Sequence, residues 1–130
     1  MKRSLFVVLM LVGVVGAGGG CWMQKASAPA LGSVAEFPDY PGAVQVEFKQ
    51  GADVEKGFTR KTEAEWTSTA PYATVMAHYQ KAITDGGWVV TETQSKATEV
   101  EWKLAKGTSI AKIEIKQKAV VTIKVERRDR

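Results

Sequence analysis

The chain is short of the residues on which many enzymes and metal proteins depend. Its 130 residues include one cysteine and one histidine, which excludes an intramolecular disulfide and any metal site built from several cysteines or imidazoles. It also lacks a glycine-rich phosphate loop, a nucleophile elbow, zinc-ligand spacing and a nucleotide fingerprint. These absences disfavour a hydrolase, so we expect no enzymatic activity, no metal and no cofactor.

The composition is otherwise that of one small folded domain. The chain is 45% hydrophobic and 25% charged, and its formal net charge is +4. Two of the basic residues lie in the first twenty positions, which hold no acids, so the remaining chain has a net charge of only +2. Such a weak positive balance gives no argument for nucleic-acid binding.

The first twenty residues have the order of a signal peptide. Lys2 and Arg3 precede an almost unbroken apolar stretch over 5–15, and small residues over 16–20 lead to Cys21. A charged start, an apolar centre and a small-residue exit direct the following chain out of the cytoplasm. Residues 1–20 are therefore interpreted as a signal peptide.

The end of this segment resembles a bacterial lipoprotein signal. Gly19 and Gly20 provide the small residues before Cys21, although Gly18 stands where the family usually has leucine. The resemblance implies lipidation of Cys21 and a membrane anchor. Trp22 stands where an aspartate would signal inner-membrane retention, which favours the periplasmic side of the outer membrane.

Two other fates of the segment remain open. Cleavage could follow the Ala-x-Ala match over 26–28, although Lys25 and Pro29 flank it unfavourably. The uncharged stretch over 5–23 could instead stay as an uncleaved anchor, because it is just long enough to span a bilayer. Beyond the anchor, the composition predicts a flexible tether over 21–35 and a single α+β domain over 36–130.

Alternating apolar and charged residues predict six strands. Pro41 and Gly42 suit the centre of a type II turn before the first of them. The short connections between consecutive strands favour antiparallel pairing. The alternating segments are found near Val44–Phe48, Phe58–Trp66, Trp88–Val90, Val100–Leu104, Ala111–Ile115 and Val121–Val125.

Between the second and third strands the pattern changes to that of a helix over 70–85. Thr69 is a plausible N-cap, Pro71 is tolerated in the first turn, and Gly86 and Gly87 end the helix. One helical face carries a stripe of apolar residues: Tyr72, Val75, Met76, Tyr79 and Ile83.

The whole pattern predicts an α+β fold in the order β-β-α-β-β-β-β. The six-stranded antiparallel sheet would have one apolar face, with the helix packed on it, and one charged face in water. One helix, about 10 Å wide, cannot cover six strands spaced about 4.8 Å apart. Either the sheet curls or the excess apolar face binds something.

Part of this region resembles a small domain of uncharacterised bacterial and archaeal envelope proteins. The resemblance covers about residues 38–127 and rests on Tyr40-Pro41-Gly42-Ala43, Thr67, the helix residues Val75, Tyr79 and Ile83, and Gly87-Trp88. His78 and Ala70-Pro71 depart from the family pattern. The resemblance implies the same fold but no known activity.

The aromatic residues are the best candidates for a binding surface. Trp66, Trp88 and Trp102 fall on the apolar phase of their strands, where tryptophan usually fills a small core. If part of the apolar face is uncovered, we expect Trp66, Trp102 and Tyr72 to form a surface for an envelope protein. A sheet edge could also bind a partner by strand addition. The alternative is a carrier that holds a small apolar molecule or lipid in a cavity between helix and sheet.

The remaining polar candidates have simpler roles. His78 lacks an orienting carboxylate, since Asp85 is about two helical turns away, and we expect a partly exposed residue beside the helix stripe. The paired carboxylates are interleaved with lysines, which indicates cross-strand ion pairs on a solvated face and no acid–base centre. The pairs are Glu63 with Glu65 and Glu99 with Glu101.

Overall fold

Six strands and one helix are found in this computed structural model, which describes residues 31–53 and 57–130. The predicted α+β class and the element order β-β-α-β-β-β-β are confirmed. The predicted signal peptide, Cys21 and the tether up to residue 30 lie outside the described residues. The elements are β1 (Val44–Ala52), β2 (Arg60–Ser68), α1 (Tyr72–Asp85), β3 (Val89–Lys96), β4 (Glu99–Lys106), β5 (Ser109–Gln117) and β6 (Val121–Asp129).

The strands form one antiparallel sheet in the order β1-β2-β6-β5-β4-β3. Strands β3, β4, β5 and β6 follow one another through short turns and form a meander. Helix α1 connects β2 to β3, which lies at the opposite edge of the sheet from β1. The register places the start of β1 and the turn 118–120 at one end, the entry rim. The other end, the far rim, contains Val89, Asp129 and the end of β1.

The inner face of the sheet forms the core with the helix. Alternate residues of β2, β4, β5 and β6 are buried, and the residues between them are partly exposed on the outer face. Val75, Tyr79 and Ile83 are the buried residues of the helix stripe. The predicted separation of apolar and charged faces is therefore confirmed on these four strands.

The helix begins later than predicted and ends as predicted. Pro71 occupies the N-cap position without a side-chain hydrogen bond, so the assignment of Thr69 as N-cap was wrong. At the other end Gly87 adopts a φ of +75°, and the N–H of Trp88 donates to the carbonyl of Ile83 at 3.1 Å. This is the geometry of a Schellman motif, which requires a left-handed residue and favours glycine there.

The predicted alternation is wrong at the edge strand β1. A bulge interrupts its register between Gln45 and Glu47, and one extra residue reverses which side chains face inward. Gln45 consequently lies opposite the buried Trp66 on the inner face. Val44 and Val46, which the alternation placed on the apolar face of the strand, are 47% and 51% exposed.

The part of the inner face that the helix leaves open is covered by residues 31–37, which we call the strap. Val34 is 2% exposed and Phe37 is fully buried, and both belong to the core. The Gln45 side chain accepts from the N–H of Gly32 at 3.1 Å and donates to its carbonyl at 2.8 Å. Residues 31–35, assigned above to the tether, therefore lie on the sheet.

Replacement of Phe37 tests whether the strap is part of the core. Phe37→Ala should lower the free energy of unfolding by about 3–5 kcal/mol, because it removes a fully buried aromatic ring. Leu31→Ala is the matched control in the same strap. Its side chain is 61% exposed, so the change should stay within about 0.5 kcal/mol. Urea denaturation measures both, and equal small effects would contradict a strap packed into the core.

Candidate functional site

The residues predicted to form a binding surface do not form one. Trp66 is fully buried and Trp102 is 5% exposed, so both contribute to the core and neither can contact a partner from the surface. Tyr72 is half-buried at the start of α1, where burial raises the pKa of its hydroxyl, with a further contribution from Glu99. The strap is the reason for this difference, since it helps to cover the inner face. Cys21, the predicted lipidation site, lies outside the described residues.

An ion-pair cluster holds the strap against the far rim. The Arg127 guanidinium donates to the carbonyl of Ala35 at 3.0 Å and to the carboxylate of Glu36 at 3.0 Å. It also donates to Asp129 at 3.0 Å, and its Cζ lies 5.2 Å from the centre of the Trp88 ring. Bonds of this kind, between charged partners, are stronger than those between neutral groups.

The strap makes a strained turn at this cluster. Glu36 has a φ of +70°, a conformation that a residue other than glycine adopts only where its surroundings enforce it. The N–H of Phe37 donates to the carbonyl of Val34 at 3.1 Å and closes the turn. The turn therefore depends on the contacts of Glu36, and it directs Phe37 toward the core.

The two carboxylates of the cluster have lowered pKa values. A hydrogen bond from Lys106 is the largest influence that holds the pKa of Glu36 below 4.5, and Arg127 contributes as well. Partial burial works to raise the pKa of Asp129, but hydrogen bonds from Ser109 and Arg127 outweigh it and hold the value below 3.8. Both groups are thus stabilised as anions in the folded chain.

The histidine and the paired carboxylates lie apart from this cluster. His78 is half-buried beside the helix stripe, with its ring centre 5.1 Å from that of Tyr40 and 4.9 Å from that of Tyr79. These edge-on contacts are packing contacts. The four paired glutamates are partly exposed and lie on the outer face of β2 and β4. In the described part of the chain, no three metal-ligating side chains are grouped as a site.

A cleft of about 310 Å³ lies on the outer face. Its walls include Lys103, Lys112, Glu126 and Arg128 together with Ile110. A lipid carrier would use an apolar cavity between the helix and the sheet. This cleft has a charged lining and lies on the opposite face of the sheet. The cleft therefore gives no support to the carrier hypothesis.

Strand β3 is the most open element of the sheet. All eight of its residues are exposed, on both faces, and its sole strand neighbour in the described sheet is β4. Trp88, just before it, is buried, but Val90 is 43% exposed although it was expected to face the core. A register shift between Val90 and Glu92 adds to this local irregularity. The edge thus presents unpaired backbone groups to solvent.

No protein-family model matches the chain, and no curated protein matches it significantly. Within residues 31–53 and 57–130, no helix has the length and apolar character needed to cross a membrane. Function therefore has to be argued from the geometry described above.

Lowering the pH tests the ion-pair cluster that holds the strap. A carboxylate with a lowered folded-state pKa stabilises the fold above its unfolded pKa, and this stabilisation is lost as the pH falls through the folded pKa. The melting temperature should therefore decrease as the pH is lowered below about 4.5. The melting temperature of Glu36→Gln should decrease less over the same pH range. Glu101→Gln, on the outer face, is the control and should follow the unmodified protein. Identical pH profiles for the unmodified protein and Glu36→Gln would contradict a role for this cluster.

Proposed function

We propose that the protein is a lipid-anchored, non-enzymatic interaction module of the bacterial envelope, attached at the periplasmic side of the outer membrane. It binds an extended segment of another envelope protein, which adds to the sheet as a seventh strand beside β3. The observation that supports this most directly is the exposure of all eight residues of this edge strand.

Backbone hydrogen bonds would provide most of the affinity at this edge. A strand at the edge of a sheet leaves alternate N–H and C=O groups unpaired, and an extended peptide can satisfy them. Each such bond contributes about 0.5–1.5 kcal/mol net, so several are required for a stable complex. An extended segment of four or more residues is therefore the minimum partner.

The side chains of β3 define what the partner should carry. Val89 and Val90 are exposed at one end of the strand, and cross-strand apolar pairs contribute roughly 0.2–1 kcal/mol each. Glu92 lies further along, but its carboxylate already pairs with Lys103 at 3.6 Å. Lys96 at the end of the strand would favour an acidic residue on the partner. A suitable segment thus has β-branched or aromatic residues at one end and an acidic residue toward the other.

The edge is favoured over the inner face because the inner face is occupied. The helix covers one part of it and the strap covers another, and no tryptophan remains exposed among the described residues. The opposite edge, β1, is less open, because Gln45 and Phe48 contact the strap. Among residues 31–53 and 57–130, none covers strand β3 in a comparable way.

The lipid anchor is supported by the order of the first 21 residues. Cys21 is the only cysteine, and it follows the small residues at the end of the apolar stretch. Each buried CH₂ of an attached acyl chain contributes about 0.8 kcal/mol, and more than one chain is required for stable attachment. A diacylglycerol on the thiol together with an N-acyl chain would meet that requirement.

A pair of neighbouring proline variants tests strand addition. Successive N–H groups of a strand point in opposite directions. One of the two variants Thr93→Pro and Gln94→Pro therefore removes a hydrogen bond to β4, and the other removes only an N–H that points outward from the edge. The variant that keeps the melting temperature identifies the outward position, because proline is tolerated where the N–H faces solvent. A photo-crosslinking residue at Lys96 should form a protein adduct in intact cells, and the outward proline should abolish it.

The same crosslinker at Lys124, on central strand β6, is the control and should give no adduct of that mass. Persistence of the Lys96 adduct in the outward-proline variant would contradict strand addition. Sedimentation of the purified protein provides a further test. A dimer that the same proline abolishes would show that the edge pairs with a second copy, contrary to the proposed partner.

Radioactive palmitate tests the anchor. The unmodified chain should incorporate label and sediment with outer membranes, whereas Cys21→Ser should lose the label because the acceptor thiol is gone. Thr84→Ser, an exposed position, controls for the effect of a substitution alone. Undiminished labelling of Cys21→Ser would contradict lipidation at this residue.

A further inference from the structure

The exposed large apolar residues of the domain are divided between its two ends. Seven such residues are found in the described chain. Three of them, Val89, Val90 and Ile110, lie toward the far rim, on β3 and β5. The other four lie at the entry rim, on the strap, on β1 and in the turn between β5 and β6: Leu31, Val44, Val46 and Val120.

The chain also enters the described fold at the entry rim. The N–H of Leu31 donates to the side chain of Gln45, near the start of β1. Nine residues, 22–30, separate Leu31 from Cys21. A chain of nine residues reaches at most about 32 Å, which is close to the length of one nine-residue strand, about 30 Å. The proposed anchor is therefore joined to the entry rim by a short connection, and only a fully extended chain would let it reach the far rim.

We propose that the entry rim is a membrane-contact surface, with Leu31, Val44, Val46 and Val120 against the lipid headgroups. This proposal rests on the lipid anchor proposed above and deepens it, because it defines which end of the domain meets the bilayer. The short connection keeps this rim at a high effective concentration near the surface. Exposed valine and leucine at that position can bury apolar area at the boundary between headgroups and acyl chains.

The charges at this rim agree with a lipid surface. Lys118 occupies the same turn as Val120 and is exposed, and Lys96 ends β3 at the same rim. No carboxylate lies within ion-pair distance of either lysine in the described part of the chain. Glu99, at the same rim, lies 3.9 Å from Lys116. Lys118 is therefore available to anionic headgroups, and so is Lys96 while no partner strand is bound beside β3.

The orientation has a consequence for the open edge. With the entry rim on the bilayer, Val89 and Val90 are held on the side away from the lipid. The ion-pair cluster around Arg127 lies at that far end as well. The apolar end of β3 is then accessible to a partner in the periplasm, while Lys96 lies close to the membrane.

Fluorescence quenching in vesicles tests this orientation. The full-length lipoprotein is reconstituted into phosphatidylcholine vesicles with phosphatidylglycerol, and a single new cysteine is labelled with an environment-sensitive dye in Val44→Cys or Val120→Cys. Val89→Cys is the matched control, an exposed valine at the far rim. Labels at Val44 and Val120 should shift to shorter wavelength and lose intensity with doxyl-labelled lipid, and the label at Val89 should not. The exposed positions chosen leave the core intact, and circular dichroism checks the fold.

The outcomes separate the orientation from the anchor. Equal quenching at Val120 and Val89, in protein that stays bound to the vesicles, would overturn the orientation and leave the anchor in place. Protein that is released from the vesicles and has a reactive thiol at Cys21 would show that Cys21 is not lipidated. That result would overturn both the anchor and the orientation. Loss of the Val120 response when phosphatidylglycerol is omitted would support the role of Lys118 and Lys96.

Discussion

The rest of the structure depends on covering an apolar sheet face that is wider than one helix. Six strands span about 24 Å between the axes of the outermost strands, and a helix covers about 10 Å of that width. The strap supplies additional covering with Val34 and Phe37, and Gln45 and Arg127 hold its two ends. Because the inner face is closed in this way, the aromatic residues become core and the surfaces left for binding are the outer face and the edges.

Much of the fold could be predicted from the sequence because it is encoded in local periodicity. The alternation along β2, β5 and β6 and the apolar stripe of α1 each require only neighbouring residues, and the structure confirms both. The strap has no such signature. Val34 and Phe37 stand in a stretch rich in alanine, glycine and proline, where no period indicates which side chain is buried. The strap that carries them is held at one end by Gln45 and at the other by Arg127, which is 92 residues from its partner Ala35.

The errors at the edges and at the candidate surface have the same physical origin. A bulge in β1 adds one residue, which exposes Val44 and Val46, and a sequence gives no local mark of such a bulge. We expected Trp66 and Trp102 to contact a partner because one helix is too narrow to cover a sheet of six strands. Once the strap is included, both side chains are enclosed, and β3 is the part of the sheet that remains open.

The enclosed core and the open edge of the sheet both follow from the strap, and hydrogen exchange tests the strap most directly. In native conditions the amide of Phe37, which donates to Val34, should exchange nearly as slowly as those at the centre of β6, such as Ile123. The outward amides of β3 should exchange much faster. Exchange of Phe37 at the rate of an unstructured peptide, with β6 fully protected, would contradict the account.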